Sequence, residues 1–143
     1  MRITPMLLAS FFLAAPAQAG PTEHPPAPLR AVAENAPAIM IAAHIATRMK
    51  RDLDNYALFI DVDAAANTAS TVHVDAHVPL NVYDAPETYD AGFLGKLDEA
   101  RRAKGLRFDD GVVVVSRSAR TALEASELMR EHGYTLVFAV TTP

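Results

Sequence analysis

Two patterns of apolar positions follow one another along the chain and predict strands and helices in turn. Continuous apolar runs rich in β-branched residues are typical of strands that are buried on both faces of a parallel sheet. Such runs occupy residues 56–62, 111–115 and 134–140. Apolar residues recur instead at helical spacing in residues 37–53, 92–104 and about 119–132. The alternation predicts an α/β fold, with a parallel sheet covered by helices on both faces.

Glycine and proline predict where these elements begin and end. Gly105 and Gly133 directly follow the second and third predicted helices, the place where a C′ glycine ends a helix. Pro37 suits the first turn of the first helix. Pro86 lies in a predicted turn over residues 84–89, which leads into the second helix.

Residues 71–82 allow two interpretations. Apolar residues alternate there with His73, Asp75 and His77, so a strand would place these three side chains on one side. Because imidazole and carboxylate are common zinc ligands, the three are candidate metal ligands. The competing interpretation is that these three side chains are simply the polar face of a half-buried strand. The first interpretation predicts a metal-binding module, and the second predicts no metal.

The first 36 residues are predicted to be a signal for export followed by a flexible segment. Arg2 precedes a short apolar run, and Ala17-Gln18-Ala19 forms a small-residue cleavage site, so residues 1–19 are predicted to be a signal peptide. The run is too short to span a bilayer, so no membrane span is expected after cleavage. Residues 20–36 are rich in proline and are predicted to be a flexible N-terminus. We therefore expect a periplasmic or secreted protein of a bacterial envelope.

The amino-acid composition excludes several kinds of chemistry and disfavours one class of partner. The chain has no cysteine, which excludes disulfides, thiolate metal sites and cysteine nucleophiles. Its net charge of −4 disfavours nucleic acid as a partner, because nucleic acid attracts basic surfaces. The expected partners are therefore a small anion or an envelope protein, and no cofactor is expected.

The segment after the run of valines resembles the active-site segment of rhodanese-like domains. It reads Val-Val-Val-Val-Ser-Arg-Ser-Ala-Arg-Thr-Ala and is followed by a helix that ends in Gly-Tyr. The family has a strand, a loop of the type Cys-Arg-x-Gly-x-Thr, and a helix. In this chain Ser116 stands at the cysteine position, Arg117 matches the arginine, Ala119 replaces the glycine, and Thr121 takes the sixth position.

Two shorter segments extend the resemblance over roughly residues 39–140, and residues 37–143 are the predicted rhodanese-like domain. Ile-Asp-Val at residues 60–62 resembles the first conserved strand of the family, although Asp63 replaces the arginine that usually follows. His-Val-Pro at residues 77–79 resembles the family's His-Ile-Pro, which implies that the second strand lies at about residues 80–83 and that residues 71–77 are partly loop. The resemblance implies the α/β fold already predicted and places a site at the loop after the valines.

The predicted site is a six-residue anion-binding loop: Ser116, Arg117, Ser118, Ala119, Arg120 and Thr121. A loop before a helix N-terminus can direct N–H groups at an anion. Sulfur transfer of the rhodanese type needs a thiolate, which a serine hydroxyl cannot replace. We therefore expect a non-catalytic anion- or protein-binding accessory module. The alternative is a divergent enzyme in which a histidine, for example His77, activates Ser116.

Overall fold

A computed structural model of the chain describes Pro26, Leu29 and residues 38–65, 72–80 and 86–143. The predicted signal peptide lies outside these residues, as does almost all of the proline-rich segment. The described strands are β1 (Ile39–Ile41), β2 (Ala57–Asp61), β3 (Ala76–His77), β4 (Gly111–Ser116) and β5 (Val137–Thr141). The described α-helices are α1 (Ala43–Asp52), α2 (Pro86–Ala103) and α3 (Ala119–Glu131).

The five strands form one parallel sheet in the order β1-β5-β4-β2-β3. All six residues of β4 are buried, as are the five residues of β2, so the predicted central strands are confirmed. Their continuous apolar sequences reflect burial on both sides of the sheet. No helix among the described residues is long and apolar enough to cross a membrane.

Helices cover both faces of the sheet, as predicted. On one face, Phe93 and Leu97 of α2 and Met129 of α3 join a single apolar cluster with the side chains of β2 and β4 that point that way. On the other face, Ala46 of α1 packs with the alternate side chains of the same strands, among them Phe59. The sheet is therefore the middle layer of an α/β/α arrangement.

The prediction for residues 37–53 was wrong at its start. Ile39–Ile41 forms the edge strand β1, and the helix begins only at Ala43. Isoleucine is β-branched and suits a strand, but three residues are too few to show a period of two against the helical pattern that follows.

The second connection also differs from the prediction. The strand β3 covers Ala76–His77, within the segment expected to be partly loop, and the N–H of Leu80 bonds to the carbonyl of Val62 at 2.9 Å. Residues 81–83 of the strand expected at about 80–83 lie outside the described residues. The helix α2 begins at Pro86, inside the predicted turn. Proline lacks an N–H and is well suited to a first helical turn, which explains how it begins this helix.

Candidate functional site

The carboxyl ends of β2 and β4 lie side by side because the two strands pair in parallel. Asp61 is in register with Val115, so the residues just beyond each strand meet at the same edge of the sheet. Ligands of open α/β sheets bind at this edge. Asp63 follows β2 there, and Ser116 is the last residue of β4.

Asp63 fills the position at which an anion was expected. Ser116 Oγ donates to Asp63 Oδ1 at 2.5 Å, and the Arg117 backbone N–H donates to Asp63 Oδ2 at 3.1 Å. The Arg117 side chain adds an ion pair, with Nε 3.1 Å from the same carboxylate oxygen. Bonds to an ionised acceptor are stronger than neutral ones. The carboxylate of the chain itself is therefore the ligand of these donors.

The residues of the predicted loop divide between three elements. Ser116 ends β4, Arg117 and Ser118 form the connection, and the last three residues already belong to α3. Ser118 is the N-cap of α3, because its hydroxyl accepts the N–H of Thr121 at 3.2 Å. The N–H of Ser118 in turn donates to Ser116 Oγ at 3.0 Å. The turn is thus closed by its own side chains.

Two backbone N–H groups at the start of α3 take no part in these hydrogen bonds. The backbone N–H groups of Ala119 and Arg120 make no hydrogen bond with any described residue, as is usual for the first positions of a helix. The Arg120 side chain is exposed and lines a groove with Leu123 and Glu124 of α3, and it makes no ion pair with Asp63. Of the two arginines expected at the site, only Arg117 contacts its centre.

His77 lies near the site but does not contact Ser116. Its Nε2 is 2.6 Å from the backbone carbonyl of Asp63. In the described part of the chain, the hydrogen-bond partners of Ser116 Oγ are Asp63 and Ser118, and neither is a histidine. Ser116 is also fully buried. The serine–histidine pair of the alternative prediction is therefore not formed.

The three candidate metal ligands do not form a common site in the described structure. Asp75 accepts hydrogen bonds from the ammonium groups of Lys50 at 2.8 Å and Lys104 at 2.7 Å, and from the N–H of Phe59 at 2.8 Å. His77 bonds to the carbonyl noted above. Across residues 38–65, 72–80 and 86–143, no three His, Cys, Asp or Glu side chains form a group suited to a metal ion. Asp75 instead ties this segment to α1 and α2.

Asp63 is the site residue that sequence reasoning missed. In the sequence it stands out only as a departure from the family pattern, which has an arginine there. The signal was present in the sequence, because Asp63 and Ser116 each follow a predicted buried parallel strand, and such strand ends meet at one edge. What the sequence does not give is the order of the strands, which makes β2 and β4 neighbours.

The fold and site define a parallel α/β domain with a polar turn at the carboxyl edge of its sheet. No family model and no curated protein matches the chain. Among solved structures, the chain is similar to the polysulfide-sulfur transferase homodimer from Wolinella succinogenes, with 19% identity and a TM-score of 0.45. The match covers 73% of this chain and 69% of that one.

Proposed function

We propose that this chain is an exported rhodanese-like domain without sulfurtransferase activity, which acts as a non-catalytic binding or accessory module of the bacterial envelope. The observation that supports the proposal best is the Asp63 carboxylate bound to the hydroxyl of Ser116 and the N–H of Arg117. The turn that resembles a sulfur-transfer loop has a serine at its nucleophile position. Its hydrogen-bond donors bind the carboxylate of Asp63.

The missing thiol argues against sulfur transfer. A thiolate attacks sulfane sulfur and holds it as a persulfide, and the surrounding N–H dipoles favour the thiolate. The chain contains no cysteine that could take this role. Asp63 adds a second obstacle, because a carboxylate at this distance would oppose a second negative charge.

The same contact argues for a protein rather than a free anion as the main partner. An external anion would compete with Asp63 for the hydroxyl of Ser116 and the N–H of Arg117. The side chain of Asp63 is only 9% exposed, so the competitor would also have to displace a packed group. Under this proposal, anion binding at the turn is weak while Asp63 is in place, and binding to proteins occurs elsewhere on the surface.

Export is the second part of the proposal and rests on the sequence. The positive residue, apolar run and Ala-x-Ala site within residues 1–19 are the features of a secretory signal. A chain without cysteine also has no thiol to oxidise outside the cytoplasm. The proposed location is the periplasm or the extracellular medium.

The proposal is tested by sulfur transfer from thiosulfate to cyanide with residues 20–143. We expect the wild-type protein to give the rate of the buffer blank. Ser116→Cys is expected to remain close to that rate, because Asp63 opposes the thiolate, and Ser116→Cys/Asp63→Ala is expected to exceed it. Glu99→Cys, which places a thiol on the exposed face of α2, is the control for non-specific thiol reactions.

Turnover by the wild-type protein would refute the proposal, because no thiol is present to explain it. A double variant that stays at the rate of Glu99→Cys would show that the turn has lost more than its nucleophile, and that its resemblance to a sulfur-transfer loop does not extend to its geometry.

A further inference from the structure

A groove of about 620 Å³ lies beside α3, away from the Asp63 contact. Ala38, which precedes β1, lines it together with Arg120, Leu123, Glu124 and Glu127 of α3. These helix residues recur at three- and four-residue spacing, so they form one face of α3. The groove therefore lies between a helix and the start of the edge strand.

The two most exposed large apolar side chains of the described residues lie on this side of the sheet. Met40 is 48% exposed and Leu123 is 44% exposed. Ile39 and Ile41 pack into the cluster beneath α1, so the alternation of a strand points Met40 to the opposite face, where α3 lies. Neither side chain belongs to the two apolar clusters of the core.

The outer edge of β1 is open in the described sheet. β1 pairs with β5 on one side, and no described strand pairs with it on the other. Such an edge presents N–H and C=O groups that can pair with an added strand. Addition of an extended peptide to a sheet edge, with side chains entering neighbouring pockets, is a recurring mode of recognition.

The charges beside the groove have no partner among the described residues. Arg120 and Glu124 are four residues apart on α3, a spacing at which opposite charges can pair, but the structure contains no ion pair or side-chain hydrogen bond between them. Glu127 likewise makes no ion pair and no side-chain hydrogen bond with the described part of the chain. Two carboxylates against one guanidinium give this rim a negative excess. Complementary charge would come from a lysine or an arginine.

We propose that this surface binds an extended, basic segment of a partner protein. The segment adds as a strand beside β1, its apolar side chains cover Met40 and Leu123, and its Lys or Arg side chains face Glu124 and Glu127. The inference rests on the proposed function only in giving the chain a binding role. It concerns a surface other than the turn at Ser116.

The experiment selects binders from a random library of 12-residue peptides displayed on phage, with the purified full chain as the target. We expect the enriched peptides to carry both apolar residues and Lys or Arg at positions two or four residues apart, because both kinds of side chain must point to the face of the sheet on which α3 lies. A synthetic consensus peptide should bind about tenfold more weakly to Leu123→Gln and to Met40→Gln, since both remove apolar contacts at the centre of the surface. Ile45→Gln, an exposed apolar residue on α1, is the matched control and should leave the affinity unchanged.

A second experiment reverses the charge of the two carboxylates beside the groove. Repeating the selection against Glu124→Lys/Glu127→Lys should enrich acidic peptides instead of basic ones. The proposal is overturned if no peptide is enriched, if the enriched peptides are not basic, or if Leu123→Gln binds them as well as the wild type does. Self-association that Leu123→Gln weakens would also overturn it, because a second copy would then be the occupant. None of these outcomes depends on sulfur transfer, so a failure here is distinguishable from a failure of the proposed function.

Discussion

Asp63 shows how one side chain determines the chemistry of a whole turn. The family pattern has an arginine at this position, which would bring a positive charge to the edge of the sheet. The aspartate brings a negative charge instead, and the hydroxyl of Ser116 and the N–H of Arg117 bind it. Hydrogen bonds to a charged group contribute about 1.5 to 3 kcal/mol each. A side chain that the resemblance marks as a defect is thus a stabilising ligand in this structure.

A second carboxylate, Asp98, joins α2 to the residues after α3. Tyr134 Oη donates to Asp98 at 2.6 Å, and His132 Nε2 lies 2.9 Å from the other carboxylate oxygen. Burial opposes ionisation of Asp98, but the hydrogen bonds of Tyr134 and His132 outweigh it, so the pKa of Asp98 lies below its ordinary value. Burial, and then the bond to Asp98, raise the pKa of Tyr134.

Asp98 therefore makes stability depend on pH. A carboxyl group whose pKa is lowered by folding stabilises the protein above its unfolded pKa of about 3.9, and this contribution is lost as the pH falls through the folded pKa. We expect Asp98→Asn to lower the free energy of unfolding by about 1 to 3 kcal/mol at pH 7. The deficit should begin to shrink below about pH 4, where the carboxyl of the unfolded chain takes up a proton, and should continue to shrink as the pH falls toward the lower pKa of the folded protein.

Urea unfolding between pH 3 and pH 7 measures this difference. Glu99→Gln, which removes a neighbouring exposed carboxylate from the same helix, is the control and should follow the wild type at each pH. A deficit for Asp98→Asn that stays constant over the whole range would mean that the charge of Asp98 contributes nothing.

Among the elements, α3 carries the most complete set of local signals. Ser118 caps its first turn. At its other end the N–H of Gly133 bonds to the carbonyl of Arg130, and the N–H of Tyr134 bonds to that of Met129. This pair of bonds is a Schellman motif, which needs a residue with positive φ at C′. Gly133 has a φ of 116°, a backbone conformation that residues with a Cβ rarely adopt.

Gly133→Ala is expected to destabilise the fold by at least about 1 kcal/mol, because alanine is strained at this φ. The cause is the backbone conformation, since an added Cβ would meet Phe108 only at an ordinary 3.7 Å. Gly95→Ala is the matched control. Gly95 lies within α2 with open space around it, so alanine should stabilise that helix by about 0.5 to 1 kcal/mol.

Thermal unfolding of the two variants measures the opposite shifts. Equal midpoints for Gly133→Ala and the wild type would show that the end of α3 does not require glycine. A lower midpoint for Gly95→Ala would show that the interior of α2 is constrained by something other than helix propensity.

At the scale of the whole molecule, long elements could be predicted and short ones could not. Runs such as Val112–Val115 span a strand, and α3 spans more than three helical turns, so their periods are plain in the sequence. β1 has three residues and β3 has two, and both depend on pairing with a strand that is distant in sequence. Their positions follow from the finished sheet and not from a local pattern.

The site, like the fold, has residues that could be predicted from the sequence and residues that could not. Ser116 and Arg117 could be located because they belong to one continuous segment with the valines and α3. Their ligand could not, because Asp63 lies 53 residues from Ser116 and reaches it only when β2 and β4 pair. The missing contact between His77 and Ser116 has the same origin, since the position of His77 depends on the short strand β3.

The most direct test of this account is a double-mutant cycle between Asp63 and Ser116. The free energy of unfolding would be measured in urea for Asp63→Ala, Ser116→Ala and the double variant. If the carboxylate is the ligand of the hydroxyl, the two effects should be coupled by about 1 to 3 kcal/mol. Pairing Asp63→Ala with Ser126→Ala provides the control, because Ser126 is also fully buried but bonds to Ala122, and its effect should be additive. Additive effects of Asp63→Ala and Ser116→Ala, to within about 0.5 kcal/mol, would contradict the account.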